Sequence, residues 1–178
     1  MTGEPRSAND GAPGNVVALV DARPDDWAHR FTALALRVRS ALGADVSIEH
    51  IGSTAVPELP AKDVVDALVG VPLTKIDSAG QTLAAAGFVV EGRRDGHVWL
   101  SQHREGRRES IVHVVEAHGR RWERRLAFRD LLRRDPEARR EYLAAKRAAA
   151  ESHSSWDAYG TAKADAVQRL LAPAETSQ

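Results

Sequence analysis

The spacing of apolar residues changes character along the chain: helical at first, strand-like through the middle, and helical again beyond Gly119. Val16–Val20 is a short apolar run ending at Asp21. Trp27, Phe31, Leu34, Val38 and Leu42 then recur at helical spacing, which predicts an amphipathic helix with one core-facing side. Pro24 suits its first turn, Asp25 and Asp26 favour its positive end, and Gly43 stops it. Ile48–Ile51 reads as a short strand, and Val64–Val69 as a nearly continuous apolar run of the kind a strand buried on both faces requires. Between them, Gly52-Ser53-Thr54, Pro57 and Pro60 form a loop in which neither helix nor central strand continues.

Leu73–Ala86 predicts a second helix, closed by Gly87. Phe88-Val89-Val90 begins a strand that runs into a charged turn over Glu91–Gly96. His97–Leu100 is the returning strand, Gly106 marks a further turn, and Ser110–Glu116 is the last strand. About five strands, joined partly by hairpins and partly by a helix, predict a mixed sheet in an α+β fold. One helix follows through Trp122, Leu126 and Arg129, and a second starts at Pro136 and runs through Tyr142 to about Ala150. A third is capped by Ser154 or Ser155 and carries Trp156, Tyr159, Lys163, Val167 and Leu170.

Composition narrows the picture. The 178 residues, 43% of them apolar, suit one domain over residues 16–171 with a single core. Residues 1–15 have little to bury and are expected to be a disordered tail, and residues 172–178 a C-terminal tail. No window is apolar enough for a membrane span, and the N-terminus lacks the apolar core of a signal peptide. The absence of cysteine excludes a disulfide framework and a thiolate zinc site, so a cytoplasmic location is expected. Basic and acidic residues balance at 25 each, which argues against a general affinity for nucleic acid. Of the cations, 21 are Arg and four are Lys: Lys62, Lys75, Lys146 and Lys163. The arginine-rich runs at 120–125 and 133–140 mix both signs and read as solvated helix faces.

Candidate chemistry centres on Asp66, the one carboxylate inside the most apolar strand. An ionised Asp there needs a metal, a cation or several donors. Gly52 and Ser53 offer a small turn beside it, and Lys62 a point charge; a nucleotide phosphate with its metal ion would suit that combination. Equally, Asp66 is satisfied if backbone N–H groups or Lys62 meet it. His50 and His113 lie on strands, where a neutral imidazole serves as metal ligand, proton shuttle or plain structural group. Tyr159 and Lys163 are one helical turn apart on an inward side, where a lysine needs an anion.

The string from His50 to Asp66, HIGSTAVPELPAKDVVD, resembles the signature of the GrpB family. His113-Val114-Val115-Glu116, the run Leu126–Arg133, Tyr142 with Lys146, and Tyr159 with Lys163 follow in that family's order. The resemblance implies a nucleotidyltransferase-like fold and a family also found fused to dephospho-CoA kinase. It further implies catalytic roles for Asp66 and His113, and metal ligation, by Mg²⁺ in the first instance, through Asp66, Glu49 and His50. Gly52, Ser53, Lys62, Arg129, Lys146, Tyr159 and Lys163 would bind substrate. The implied reaction transfers a nucleotidyl group from a nucleoside triphosphate to a small acceptor. The chain departs from the fold's usual D-x-D pair, because Leu68 stands at the second position, and from H-x-H on the later strand, because Ile111 stands at the first. Asp63, three residues before Asp66, should face the other side of the sheet, leaving Glu49, Asp95 and Glu116 as candidate second carboxylates. The alternative is a nucleotide- or anion-binding module without chemistry, acting with a protein partner.

Overall fold

The computed structural model describes residues 18–152 and 165–172. The expected tail over 1–15 lies outside the described residues, as does 173–178, whereas helix continues through residue 172. A five-stranded mixed sheet forms the centre, flanked by helices, as an α+β fold. Its strands are β1 (Ser47–Ile51), β2 (Val65–Val71), β3 (Val89–Arg94), β4 (His97–Arg104) and β5 (Arg107–Glu116), in the order β1-β2-β5-β4-β3. Only β2 and β5 run parallel; every other pair is antiparallel.

Helices α1 (Pro24–Leu42) and α2 (Ile76–Ala85) cover one face of the sheet. Trp27, Leu34 and Val38 pack there with Val65, Ala67, Val69, Leu83, Val112 and Val114. The period of α1 read from sequence is the one that is buried. Leu73–Lys75 forms a 3-10 turn ahead of α2, so the second helix is shorter than its apolar pattern suggests.

Both hairpins are longer than expected. The charged run after Val90 is strand as far as Arg94, and only Asp95-Gly96 turns. Its charges are accommodated because β3 is an edge strand, and Glu91, for example, pairs with Arg108 of β5. The next turn is Glu105-Gly106, both at positive φ (52° and 75°), as a tight two-residue connection demands.

The opposite face carries α3 (Arg120–Arg134), whose Trp122 packs with Ile51, Leu68 and Val115. Asp135 stops α3 and accepts from the backbone N–H groups of Glu137 and Ala138 at the start of α4 (Pro136–Ser152). A separate apolar cluster joins the loop residues Val56 and Leu59 to Leu132, Ala138, Tyr142 and Ala166. The helical half therefore clasps the loop between β1 and β2. Among the described residues, no helix is long and apolar enough to cross a membrane.

Candidate functional site

Alternation along β2 sends Val65, Ala67 and Val69 toward α1 and α2, and Asp66, Leu68 and Gly70 toward α3. Register carries the same division across the sheet. Ile51 faces Asp66, Leu68 faces His113, and His113 faces Trp99, so Glu49, Asp66, His113 and His97 all lie on the α3 side. This face holds the candidate site.

Asp66 is half-buried and sits directly against Gly52, the exposed residue that opens the loop. Gly52 has φ 73°, and any Cβ there would collide with Oδ2 of Asp66. Glycine is thus required twice, by backbone conformation and by the carboxylate lying against it. Ser53 follows as the first residue of a 3-10 turn, Ser53–Ala55.

The other oxygen of Asp66 looks toward a histidine pair. His113 Nε2 lies 3.7 Å from Asp66 Oδ1, and His113 Nδ1 lies 3.0 Å from His97 Nε2. Arg94 Nε donates to His97 Nδ1 at 3.2 Å. A guanidinium N–H only donates, so His97 Nδ1 accepts and its proton resides on Nε2. That proton is donated to His113 Nδ1, which leaves the His113 proton on Nε2, aimed at Asp66. Burial, with His113 and nearby arginines adding to it, lowers His97 to about 2. Burial and Arg125 lower His113 to about 4, against the pull of Asp66. Both rings are neutral at neutral pH, as the directed chain requires.

Arginines occupy the sheet-facing side of α3. Arg121, Arg125, Arg129 and Arg133 are spaced four apart and interleave with Trp122 and Leu132. The solvated face expected of 120–125 and 133–140 holds for Arg120, Arg121, Glu123, Arg133, Arg134, Glu137 and Arg140, which are exposed, and is corrected at Arg125, which turns inward. Arg125 reaches furthest in; burial lowers its guanidinium to about 10, with Asp66 opposing and Arg94 and Arg121 adding repulsion. Arg129 bonds Glu49 at 2.6 Å and Asp130 at 2.8 Å, and Arg133 donates to the Ala55 carbonyl at 2.9 Å.

Gly52, Asp66 and His113 meet as the sequence anticipated, and Ser53 adjoins them. Lys62 is half-buried in the segment leading into β2. Arg129 and Lys146 are engaged within the protein. Arg129 ties α3 to β1 through Glu49 and the His50 carbonyl, and Lys146 is buried with Nζ 2.6 Å from the Pro60 carbonyl. The expected ligand grouping of Asp66, Glu49 and His50 does not form. His50 points to the opposite face, stacks on Phe31 at 4.6 Å and meets Thr54 Oγ1 at 3.0 Å. Among the described residues, no group of three or more His, Asp or Glu side chains is arranged to hold a metal ion. Asp63 meets Arg23, Arg30 and Trp27 on the α1 side, as its register implies. Of the other candidate carboxylates, Glu116 packs against Gly119 at the end of β5, and Asp95 offers its carbonyl to Arg121. Tyr159 and Lys163 lie outside the described residues. Sequence reasoning missed Arg94, His97 and Arg125. The four-residue spacing in α3 was a signal for Arg125, but nothing local marked His97, which joins the site only through strand pairing.

Residues 16–172 match the family described as GrpB protein. A UPF0157 protein of Deinococcus radiodurans is 43% identical over 159 residues, covering 89% of this chain and 83% of that one. The crystal structure of GrpB from Enterococcus faecalis superposes with a TM-score of 0.68 at 28% identity, over 85% of this chain and 98% of that one. A cytoplasmic RNA terminal U-transferase matches more loosely, at a TM-score of 0.49 and 14% identity, over 71% of this chain and 41% of that one. This chain belongs to the GrpB family.

Proposed function

We propose that this protein binds a nucleotide or a related phosphate ligand on the α3 side of the sheet, around Asp66. The observation that carries this reading is one juxtaposition: a half-exposed carboxylate on an otherwise buried strand, set between the open Gly52 turn and His113, with the charge of Arg125 acting on it from α3. A carboxylate and an arginine at one opening suit a ligand that brings both a cation and phosphate oxygens.

Asp66 does not make a protein-only metal site, but it fits Mg²⁺ that arrives with phosphates, since one or two carboxylates then suffice. When bound, that ion would neutralise phosphate charge beside Asp66. The neutral His113 would present its Nε2–H toward Asp66 from 3.7 Å, and Gly52 would leave room for the ligand. A cytoplasmic nucleotide pool is the setting this reading implies, in keeping with a chain that lacks cysteine.

Binding without turnover is favoured by Leu68. It occupies the second D-x-D position and is fully buried with Trp122, where a carboxylate would be cut off from water. Nucleotidyl transfer to a small acceptor is the second reading, favoured by Glu49, a second carboxylate on the same face held by Arg129. Calorimetry with the four Mg–nucleoside triphosphates separates these from no binding at all. At least one is expected to bind the wild type and to lose affinity in Asp66→Asn, with no pyrophosphate released across an acceptor panel. Steady pyrophosphate release would establish the transferase reading instead. Failure of all nucleotides, with binding of a CoA precursor or a protein partner, would overturn the nucleotide reading.

A further inference from the structure

The arginine ladder of α3 divides into two halves with different surroundings. In the half near the β1–β2 loop, cations meet anions or main-chain oxygens: Arg129 with Glu49 and Asp130, and Arg133 with the Ala55 carbonyl. In the half near the β3–β4 hairpin the partners named are neutral, a carbonyl and an imidazole. Arg121 donates to the Asp95 carbonyl at 3.2 Å, which brings the start of α3 onto the hairpin. Arg94 pairs across the hairpin with His97, so its side chain lies on the same face, bonded to His97 Nδ1 and 5.7 Å from the Trp99 ring. Arg125, one turn after Arg121, completes the group beside Asp66 and His113.

Both named acceptors here are neutral, an imidazole nitrogen and a carbonyl. Among the described residues, no carboxylate forms a salt bridge with Arg94, Arg121 or Arg125. Among the described residues, Asp66 is the anion that offsets Arg125, while Arg94 and Arg121 repel it. Arg94 and Arg121 are exposed and Arg125 is deeper, so the cluster is open to a ligand at its rim and has a cation at its base. Three planar forks held by a hairpin, a helix and an aromatic ring are organised to receive phosphoryl oxygens.

We infer that Arg94, Arg121 and Arg125 form a diphosphate-binding subsite next to Asp66, which engages the group without a metal ion. The inference rests on the phosphate-ligand reading above and makes it finer. The diphosphate is either the tail of a nucleotide or free pyrophosphate, and the experiment has an arm for each.

Inorganic pyrophosphate is titrated in the presence of a chelator, at constant ionic strength, in parallel with Mg–nucleotide. Wild type is expected to bind pyrophosphate. Arg125→Gln and Arg121→Gln should each weaken it roughly tenfold or more, the scale of a lost charge-assisted hydrogen bond. Arg140→Gln, on the outer side of α4, should leave it unchanged. Asp66→Asn should tighten pyrophosphate, by removing a repelling charge, while weakening Mg–nucleotide. Circular dichroism confirms folding of each variant; Arg121→Gln and Arg94→Gln, both at exposed positions, decide the matter should Arg125→Gln fail to fold. Pyrophosphate binding without nucleotide binding leaves the subsite standing and removes the nucleotide reading. Nucleotide binding that all three arginine variants retain, or pyrophosphate affinity that Arg140→Gln reduces equally, overturns the subsite.

Discussion

Asp66 and Gly52 are coupled by direct contact, because the carboxylate occupies the space a Cβ at position 52 would need. Gly52→Ala should cost at least ~1–3 kcal/mol in chemical denaturation, from positive φ alone, with the collision adding to it. In an Asp66→Ala background the collision disappears and only the backbone strain remains. The second cost should therefore be smaller than the first; equal costs would show that the contact carries no energy. His50 offers a different residue-scale test. Burial lowers its imidazole to about 4, opposed by Asp66 and assisted by Arg133 and Arg129. The unfolded ring titrates near 6.5. Between those values the unfolded chain binds more protons, so stability falls as pH drops from about 6.5 toward 4 and levels off below. One such ring contributes at most ~1.4 kcal/mol per pH unit. His50→Gln should flatten the dependence of stability on pH across that window by up to about one proton, with His97 and His113 contributing in the same direction. An unchanged slope would mean that His50 takes up its proton in the folded state. As a strand residue that opens the family-like motif, His50 reads equally well as ligand or as packing; the parity that turns it toward Phe31 appears only with the register.

The β1–β2 loop is held by helices distant in sequence. Lys146 reaches the Pro60 carbonyl, Arg133 the Ala55 carbonyl, and Arg139 pairs with Glu58, while Val56 and Leu59 pack on Leu132 and Tyr142. Lys146→Met keeps a long apolar stem and removes the ammonium. It should release amide protection across residues 55–61 and cost ~1–3 kcal/mol, since the Pro60 carbonyl loses its donor. Undisturbed exchange in that loop would contradict the clasp. Lysine is scarce in this chain, which made Lys146 look like a phosphate ligand; whether a helical cation meets a ligand or a carbonyl depends on what packs against the helix. Helix α3 posed the same difficulty. Arginines every four residues describe a solvated stripe or a ladder over a sheet equally well, and α3 lacks the continuous apolar face that would have decided.

At the scale of the molecule, the mixed sheet, its strand–loop–strand centre and the helical half were readable, because apolar runs and Gly or Pro breaks are local signals. The strand order β1-β2-β5-β4-β3 was not, since it depends on pairings between distant residues. That order joins His97 and His113 to Asp66 on the face that α3 covers. One sheet face consequently carries the loop, the carboxylate, the directed histidine pair and the arginines, while the other carries the main core. The central claim is that this face receives a Mg-bound phosphate ligand at Asp66. The most direct measurement is the melting temperature of wild type and Asp66→Asn with and without Mg–nucleoside triphosphates. A ligand at 100 times its dissociation constant adds ~2.7 kcal/mol, roughly 5–10 °C for a chain of this size. A rise of that order in the wild type, largely lost in Asp66→Asn, is the predicted result. A rise of equal size in both proteins would contradict the account, because the ligand would then be held somewhere other than at Asp66.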